Sequence, residues 1–307
     1  MPRHDNDQWD IVTSVGLTAL AVAACRAIET KRADALIQDP FADALVSSAG
    51  TDFPVSAQLP HRGPDDESDF EEVWTYTASH MGVRSRFFDN FLHDSWHNGV
   101  TQAVILASGL DARAWRLDWP EGCSVYEIDQ PKVLAYKDDV LAEEGARPRC
   151  ARHAVAIDLR EDWSAALERS GFDRSRPTAW LAEGLLPYLP DHAEEGLLKA
   201  VHELSAPGSR IAVEHMRAVR SVMQHFSSRY EQLAEQWGLD INDLFYDNDQ
   251  RPDPDDRLAE LGWQTNAALG SELAQAYGRT ADGVPEDMSQ HLRYVTAQLL
   301  PQPNGNR

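Results

Sequence analysis

Cysteine is scarce, with Cys25, Cys123 and Cys150 the only three in 307 residues. Odd in number, far apart and without a C-x-x-C pair, they supply no disulfide framework or thiolate metal cluster, which suits a reducing, cytoplasmic setting. Basic residues are also few: 28 Lys+Arg stand against 50 Asp+Glu, a net charge of −22. A surface this acidic repels phosphate backbones and anionic lipid, so nucleic acid and membranes are poor partners. The apolar stretch from Ile11 to Ala24 is too short to span a bilayer. Asp5, Asp7 and Asp10 precede it where a signal peptide needs basic residues, so a buried helix is expected. Neither G-x-G-x-x-G nor G-x-x-x-x-G-K-[ST] occurs, which removes the usual phosphate-cradling loops. G-x-S-x-G is missing too, so Ser108 is no nucleophile elbow. No internal repeat or low-complexity tract is visible.

Hydrophobic residues make up 42% of the chain, enough for a sizeable core. From about residue 100, short apolar β-type runs alternate with longer amphipathic stretches, the pattern of a mostly parallel sheet flanked by helices. The runs are 102–108, 124–129, 153–158, 178–183 and 209–214, then 263–269 and 293–300, the last two as a candidate hairpin pair. A helix is expected from Pro131, since proline is tolerated in a first helical turn. Seven strands predict one doubly wound, Rossmann-like α/β sheet over residues 99–307, with a helical extension over residues 1–98. Residues Gly50 to Glu72, rich in proline, glycine and acids, read as a loop. Residues 217–256 interrupt the alternation and carry Phe226, Tyr230, Trp237, Phe245 and Tyr246. An insertion there is equally a candidate lid over the strand ends or a helix pair packed on the sheet.

In open α/β sheets, ligands bind outside the carboxyl ends of the strands. Here the first strand opens on Gly109, and the next three end in Asp129, Asp158 and Glu183. S-adenosylmethionine carries a ribose diol, an adenine amine, a sulfonium and an ammonium, all of which carboxylates favour. Glycine lets the backbone approach such a ligand closely. The spacing alone leaves a dinucleotide or flavodoxin-like fold open. His93 and His97, four apart on a helix, read as a solvated face, and no metal site is expected. Tyr188, fixed between Pro187 and Pro190 beyond the fourth strand, is a candidate for orienting an acceptor, or else packs under the lid.

Several segments carry a family resemblance. They are Val83-Arg-Ser-Arg-Phe-Phe-Asp-Asn-Phe-Leu92, Ile105-Leu-Ala-Ser-Gly-Leu-Asp-Ala-Arg113, Tyr126-Glu-Ile-Asp-Gln-Pro131, Ile157-Asp-Leu-Arg160 and Trp180-Leu-Ala-Glu-Gly-Leu-Leu-Pro-Tyr-Leu-Pro190. In this order they resemble the bacterial branch of the leucine carboxyl methyltransferase family, which is abundant in mycobacteria and related actinobacteria. The likeness covers about residues 8 to 300. It implies a class I methyltransferase fold and S-adenosylmethionine as cofactor. It further implies Arg84, and by a looser match Arg26, on the cofactor carboxylate, Gly109 beside the methionyl part, and Asp129 on the ribose. Asp158 and the backbone N–H of Leu159 would meet the adenine, and Glu183 the amino or sulfonium end. The first strand ends in Ala-Ser-Gly rather than the richer glycine turn of the eukaryotic protein-phosphatase enzyme, and the middle of the N-terminal region does not match. The departures leave the substrate open. The expected activity is O-methylation of a carboxylate or hydroxyl on a small-molecule acceptor. An NAD-dependent oxidoreductase and a non-catalytic S-adenosylmethionine-binding protein are the alternatives.

Overall fold

The computed structural model describes residues 15–50, 56–58, 70–219, 245–246, 250–279 and 290–301. Its centre is a seven-stranded sheet in the order β3-β2-β1-β4-β5-β7-β6. The strands are β1 (Gln102–Leu106), β2 (Ser124–Asp129), β3 (Ala151–Ala156), β4 (Thr178–Ala182), β5 (Arg210–Met216), β6 (Trp263–Leu269) and β7 (Leu292–Leu299). Strands β1 to β5 pair in parallel, while β7 runs antiparallel to both β5 and β6. The order reverses between β1 and β4, so the crevice of a doubly wound sheet opens at their carboxyl ends.

Strands β1 and β4 are buried at every position, as expected of parallel strands covered on both faces. Alternate side chains feed two cores. Ala103, Ile105, Val125, Leu181 and Ala212 face α1 (Val15–Thr30), α2 (Ala42–Ser47), α3 (Phe70–His97) and α5 (Pro131–Glu143). Val104, Ile128, Trp180 and Val213 face α6 (Trp163–Arg169), α7 (Asp191–Glu203) and α8 (Pro254–Glu260). A short α4 (Arg113–Arg116) follows β1, and α9 (Gly270–Ala276) lies between β6 and β7. The N-terminal helices share one continuous core with the sheet. The apolar stretch that invited a signal-peptide reading runs into α1, where Leu20, Ala23 and Ala24 are fully buried.

At the α1–α3 contact, a Cβ at Gly82 would come within 2.6 Å of Glu29 Cδ. Glu29 cannot swing away: it accepts from Leu36 N–H at 2.7 Å and from Arg279 at 2.5 Å, with no side-chain exposure. Gly82→Ala is therefore expected to lower the unfolding free energy by roughly 1–3 kcal/mol, the usual cost of overpacking. An unchanged urea midpoint would show that the two helices separate freely.

Several boundaries differ from the expectations. Strand β3 lies two residues earlier, because the chain turns at Asp158, whose Oδ1 accepts from Arg160 N–H at 2.8 Å. Strand β5 runs on to Met216 through its pairing with β7. Strands β6 and β7 are antiparallel neighbours, but α9 intervenes, so they form no tight hairpin. Helix α3 already begins at Phe70, inside the stretch read as loop. Most of the 217–256 insertion lies outside the described residues, including Phe226, Tyr230 and Trp237.

Candidate active site

Strand ends and the overlying α1 enclose a cavity of about 930 Å³. Arg26, Arg84, Gly109, Asp129, Asp158, Leu159, Glu183 and Tyr188 all lie on its wall. Residues from seven segments, spread over 163 positions of sequence from Arg26 to Tyr188, thus meet in one place.

The chain leaves β1 through Ala107 at φ 51° and Gly109 at φ 49°. Gly109 N–H donates to Asp129 Oδ2 at 2.6 Å, and Gln130 N–H donates to Oδ1 at 2.7 Å. Burial pushes the Asp129 carboxyl above its ordinary value, although these two N–H bonds oppose the rise. Asp158 sits across from it, taking Gln130 Nε2 on Oδ2 at 2.9 Å. Burial acts to raise Asp158 as well, but the bonds from Arg160 outweigh it and hold the group below the usual range. Leu159, Ile157, Val133 and Trp163 supply an apolar wall beside Asp158.

Across the crevice, Glu183 is held by two guanidiniums. Arg84 Nε donates to Oε1 at 2.7 Å, and Arg113 Nη1 donates to Oε2 at 2.6 Å. Burial alone would raise Glu183, yet Arg113 and Arg84 bring it down to about 2. Arg84 also pairs with Glu214 at 3.2 Å, and Glu214 accepts from Gly184 N–H at 3.0 Å. Gly184, at φ 60°, is required here: a Cβ would stand 2.6 Å from Arg84 Nη2. Arg26 bonds to Asp39 through Nε at 2.8 Å and to Leu110 O through Nη2 at 2.7 Å, tying α1 to the loop after β1. Tyr188 closes a 3-10 turn over Leu186–Tyr188, and its ring packs on Phe245 with centroids 5.1 Å apart.

Two functional neighbours escaped the sequence reading. Arg113 is one, and its place in the run Asp111-Ala-Arg113 gave no sign that it reaches Glu183. Glu214 is the other, although it ends the fifth apolar run as Glu183 ends the fourth. His93 and His97 pack ring on ring on the exposed end of α3, with His97 Nδ1 bonded to His93 O at 2.8 Å. Among the described residues, no group of three or more His, Cys, Asp or Glu is placed to hold a metal ion. None of the described helices is long and apolar enough to cross a membrane.

The profile of leucine carboxyl methyltransferases matches residues 19–202, more than half of the chain. The chain belongs to the leucine carboxyl methyltransferase family. Among its relatives, a protein of Saccharopolyspora erythraea assigned as an S-adenosyl-L-methionine-dependent methyltransferase is 48% identical over 95% of this chain and 98% of its own. One from Mycobacteroides abscessus, with the same assignment, is 48% identical over 97% and 96%. A Thermobifida fusca methyltransferase structure superposes with a TM-score of 0.51 at 17% identity, covering 92% of this chain and 94% of that one, which supports the fold alone. The enzyme is an S-adenosylmethionine-dependent methyltransferase, and the dinucleotide alternative falls away.

The cavity's chemistry suits that cofactor. Carboxylates at three strand ends and an apolar wall line the cavity, and the cofactor offers a diol, an amine and two cationic centres. Asp129 keeps an unused lone pair on each oxygen, since each accepts one N–H. Glu183 stays ionised at neutral pH, so it can meet a cation.

Proposed function

We propose that this methyltransferase O-methylates a small molecule at a carboxylate or an acidic hydroxyl, with S-adenosylmethionine seated along the carboxyl ends of β3, β2, β1 and β4. Asp158 and Leu159 would take the adenine, Asp129 the ribose, Gly109 the close approach of the methionyl chain, and Glu183 its cationic end. Arg84 and Arg26 would meet the cofactor carboxylate. Tyr188 would orient the acceptor. When bound, S-adenosylmethionine supplies a methyl group activated on sulfonium sulfur. The protein's share is alignment and exclusion of water, which supply as much as ~7–11 kcal/mol of barrier reduction in such displacements.

The observation that carries the acceptor class is the state of Glu183. Clamped by Arg84 and Arg113 and ionised down to about 2, it is too weak a base to take a proton from an ordinary alcohol. An acceptor that arrives ionised needs no such base. The net charge of −22 disfavours a nucleic acid or a membrane surface as the acceptor.

Calorimetry with S-adenosylmethionine tests the site. The wild type is expected to bind, and Asp158→Ala to lose roughly tenfold to a hundredfold in affinity with the fold retained, the loss of a charged hydrogen-bond acceptor. Wild-type affinity in that variant would take Asp158 out of the site. Release of S-adenosylhomocysteine over panels of carboxylic acids, phenols, amines and thiols tests the chemistry. Base-labile products identify esters and support a carboxylate acceptor, and turnover confined to amines or thiols overturns O-methylation.

A further inference from the structure

Lysine on an amphipathic helix normally keeps its ammonium in water. Lys137 of α5 does the opposite, with a side chain that has no exposure at all. Its Nζ pairs with Glu127 Oε2 at 2.9 Å, and Glu127, equally enclosed, also takes Arg152 Nε at 2.8 Å. Glu127 stands in the middle of β2, two residues before Asp129. Burying such a pair is costly and often gains nothing for stability over an apolar pair, so its other contacts bear on why it is there.

Those contacts go to one loop. Nζ donates to Asp111 O at 3.1 Å and lies 3.4 Å from Ser108 Oγ. The same four residues are held at two further points: Gly109 N–H on Asp129 Oδ2, and Leu110 O under Arg26 Nη2 at 2.7 Å. The loop leaves β1 through two left-handed residues, one of them the non-glycine Ala107, a conformation that persists only where its surroundings hold it. Asp129 and Arg26 hold it from the cavity side, and Lys137 holds it from the side of β2 and α5.

We propose that Lys137 is a positioning residue of the methyl-donor site: it fixes residues 108–111 from behind, so that Gly109 and Asp129 stand ready for S-adenosylmethionine. The inference rests on the proposed seat of the cofactor at this loop. Lys137 does not line the cavity, and it acts through the loop rather than on the ligand.

The test compares full-length wild type with Lys137→Met, Lys137→Met/Glu127→Gln and Asp158→Ala, using S-adenosylmethionine calorimetry, thermal unfolding and amide exchange over residues 106–113. The single methionine variant leaves the buried Glu127 with Arg152 alone as its cationic partner, so it loses stability whatever its role. The double variant removes both charges and separates the two effects. It is expected to recover much of the thermal stability while still binding S-adenosylmethionine roughly tenfold or more weakly, since small misplacements at such sites have large effects. Amides of the loop should exchange faster in it than in the wild type. A folded double variant with wild-type affinity and wild-type loop exchange overturns the proposal. If neither methionine variant folds, Lys137→Gln, which keeps a shorter donor, replaces them: a partial loss of affinity supports the role, and undiminished affinity refutes it. Asp158→Ala keeps the two readings apart. If Asp158→Ala loses affinity and the Lys137 variants do not, only the positioning role fails; if Asp158→Ala keeps it, the seat of the cofactor itself is wrong.

Discussion

Arg113→Met is expected to lower the unfolding free energy at neutral pH by roughly 3–5 kcal/mol, the scale on which removing one member of a buried ion pair acts. The guanidinium is 3% exposed and serves three carboxylates: Asp89 at 2.7 Å, Asp111 at 2.5 Å and Glu183 at 2.6 Å. Methionine fills a similar space and leaves all three acids without that partner, although Arg116 still holds Asp89 at 2.7 Å. The pH dependence identifies the Glu183 share. A carboxyl held at about 2, below its ordinary 4.5, contributes stability that is complete above 4.5 and is lost as pH falls toward 2. The full difference is worth roughly 3 kcal/mol. The gap between wild type and variant should therefore be wide in urea melts at pH 7 and shrink on acidification through that window. A gap of equal size at both ends would mean that the Glu183 pairing is not its source.

Asp129→Ala is expected to show the largest loss of cofactor affinity of any single strand-end change, roughly a hundredfold or more. It removes the anchor of Gly109 and the proposed ribose acceptor together, and hydrogen bonds to a charged group are worth about 1.5–3 kcal/mol each. Binding in the wild type should also respond to acid. Because burial raises Asp129, it gains a proton at a higher pH than a free aspartate, and affinity should begin to fall there. Asp158, held below the usual range against its own burial by the Arg160 bonds, stays ionised through that interval. Calorimetric titrations in mildly acidic buffers check this. If Asp129→Ala shows the same acid-induced weakening as the wild type, another group is responsible.

Much of the sheet was legible because parallel strands are short and apolar and each ends where the chain must turn polar. Asp129, Asp158 and Glu183 stand at those transitions, so their shared cavity followed once the strands were placed. What stayed hidden depends on tertiary partners. Arg113 meets Asp89 and Glu183, which lie 24 and 70 positions away, and nothing local marks it. Lys137 falls on the buried stripe of α5 with Val133, Leu134, Val140 and Leu141, and nothing local shows that its ammonium is enclosed by β2 and the loop after β1. The register of β3 was misjudged because Ile157 continues the apolar run after the chain has begun to turn. Helix α9 was missed because seven residues, Gly270 to Ala276, offer too short a period to distinguish from a loop.

Strand β7 is inserted between β5 and β6, and β6 reaches the sheet only through it. During synthesis this order has a cost. Every residue proposed to hold the cofactor leaves the ribosome well before Leu292, yet until β7 arrives the edge of β5 stands open, with Ile211 and Val213 on one face. The emerging chain thus presents an unpaired, apolar strand edge, the kind of surface on which nascent proteins aggregate or recruit chaperones. The residues proposed to hold the cofactor and the cover for the β5 edge are therefore made at different moments, the second with β7.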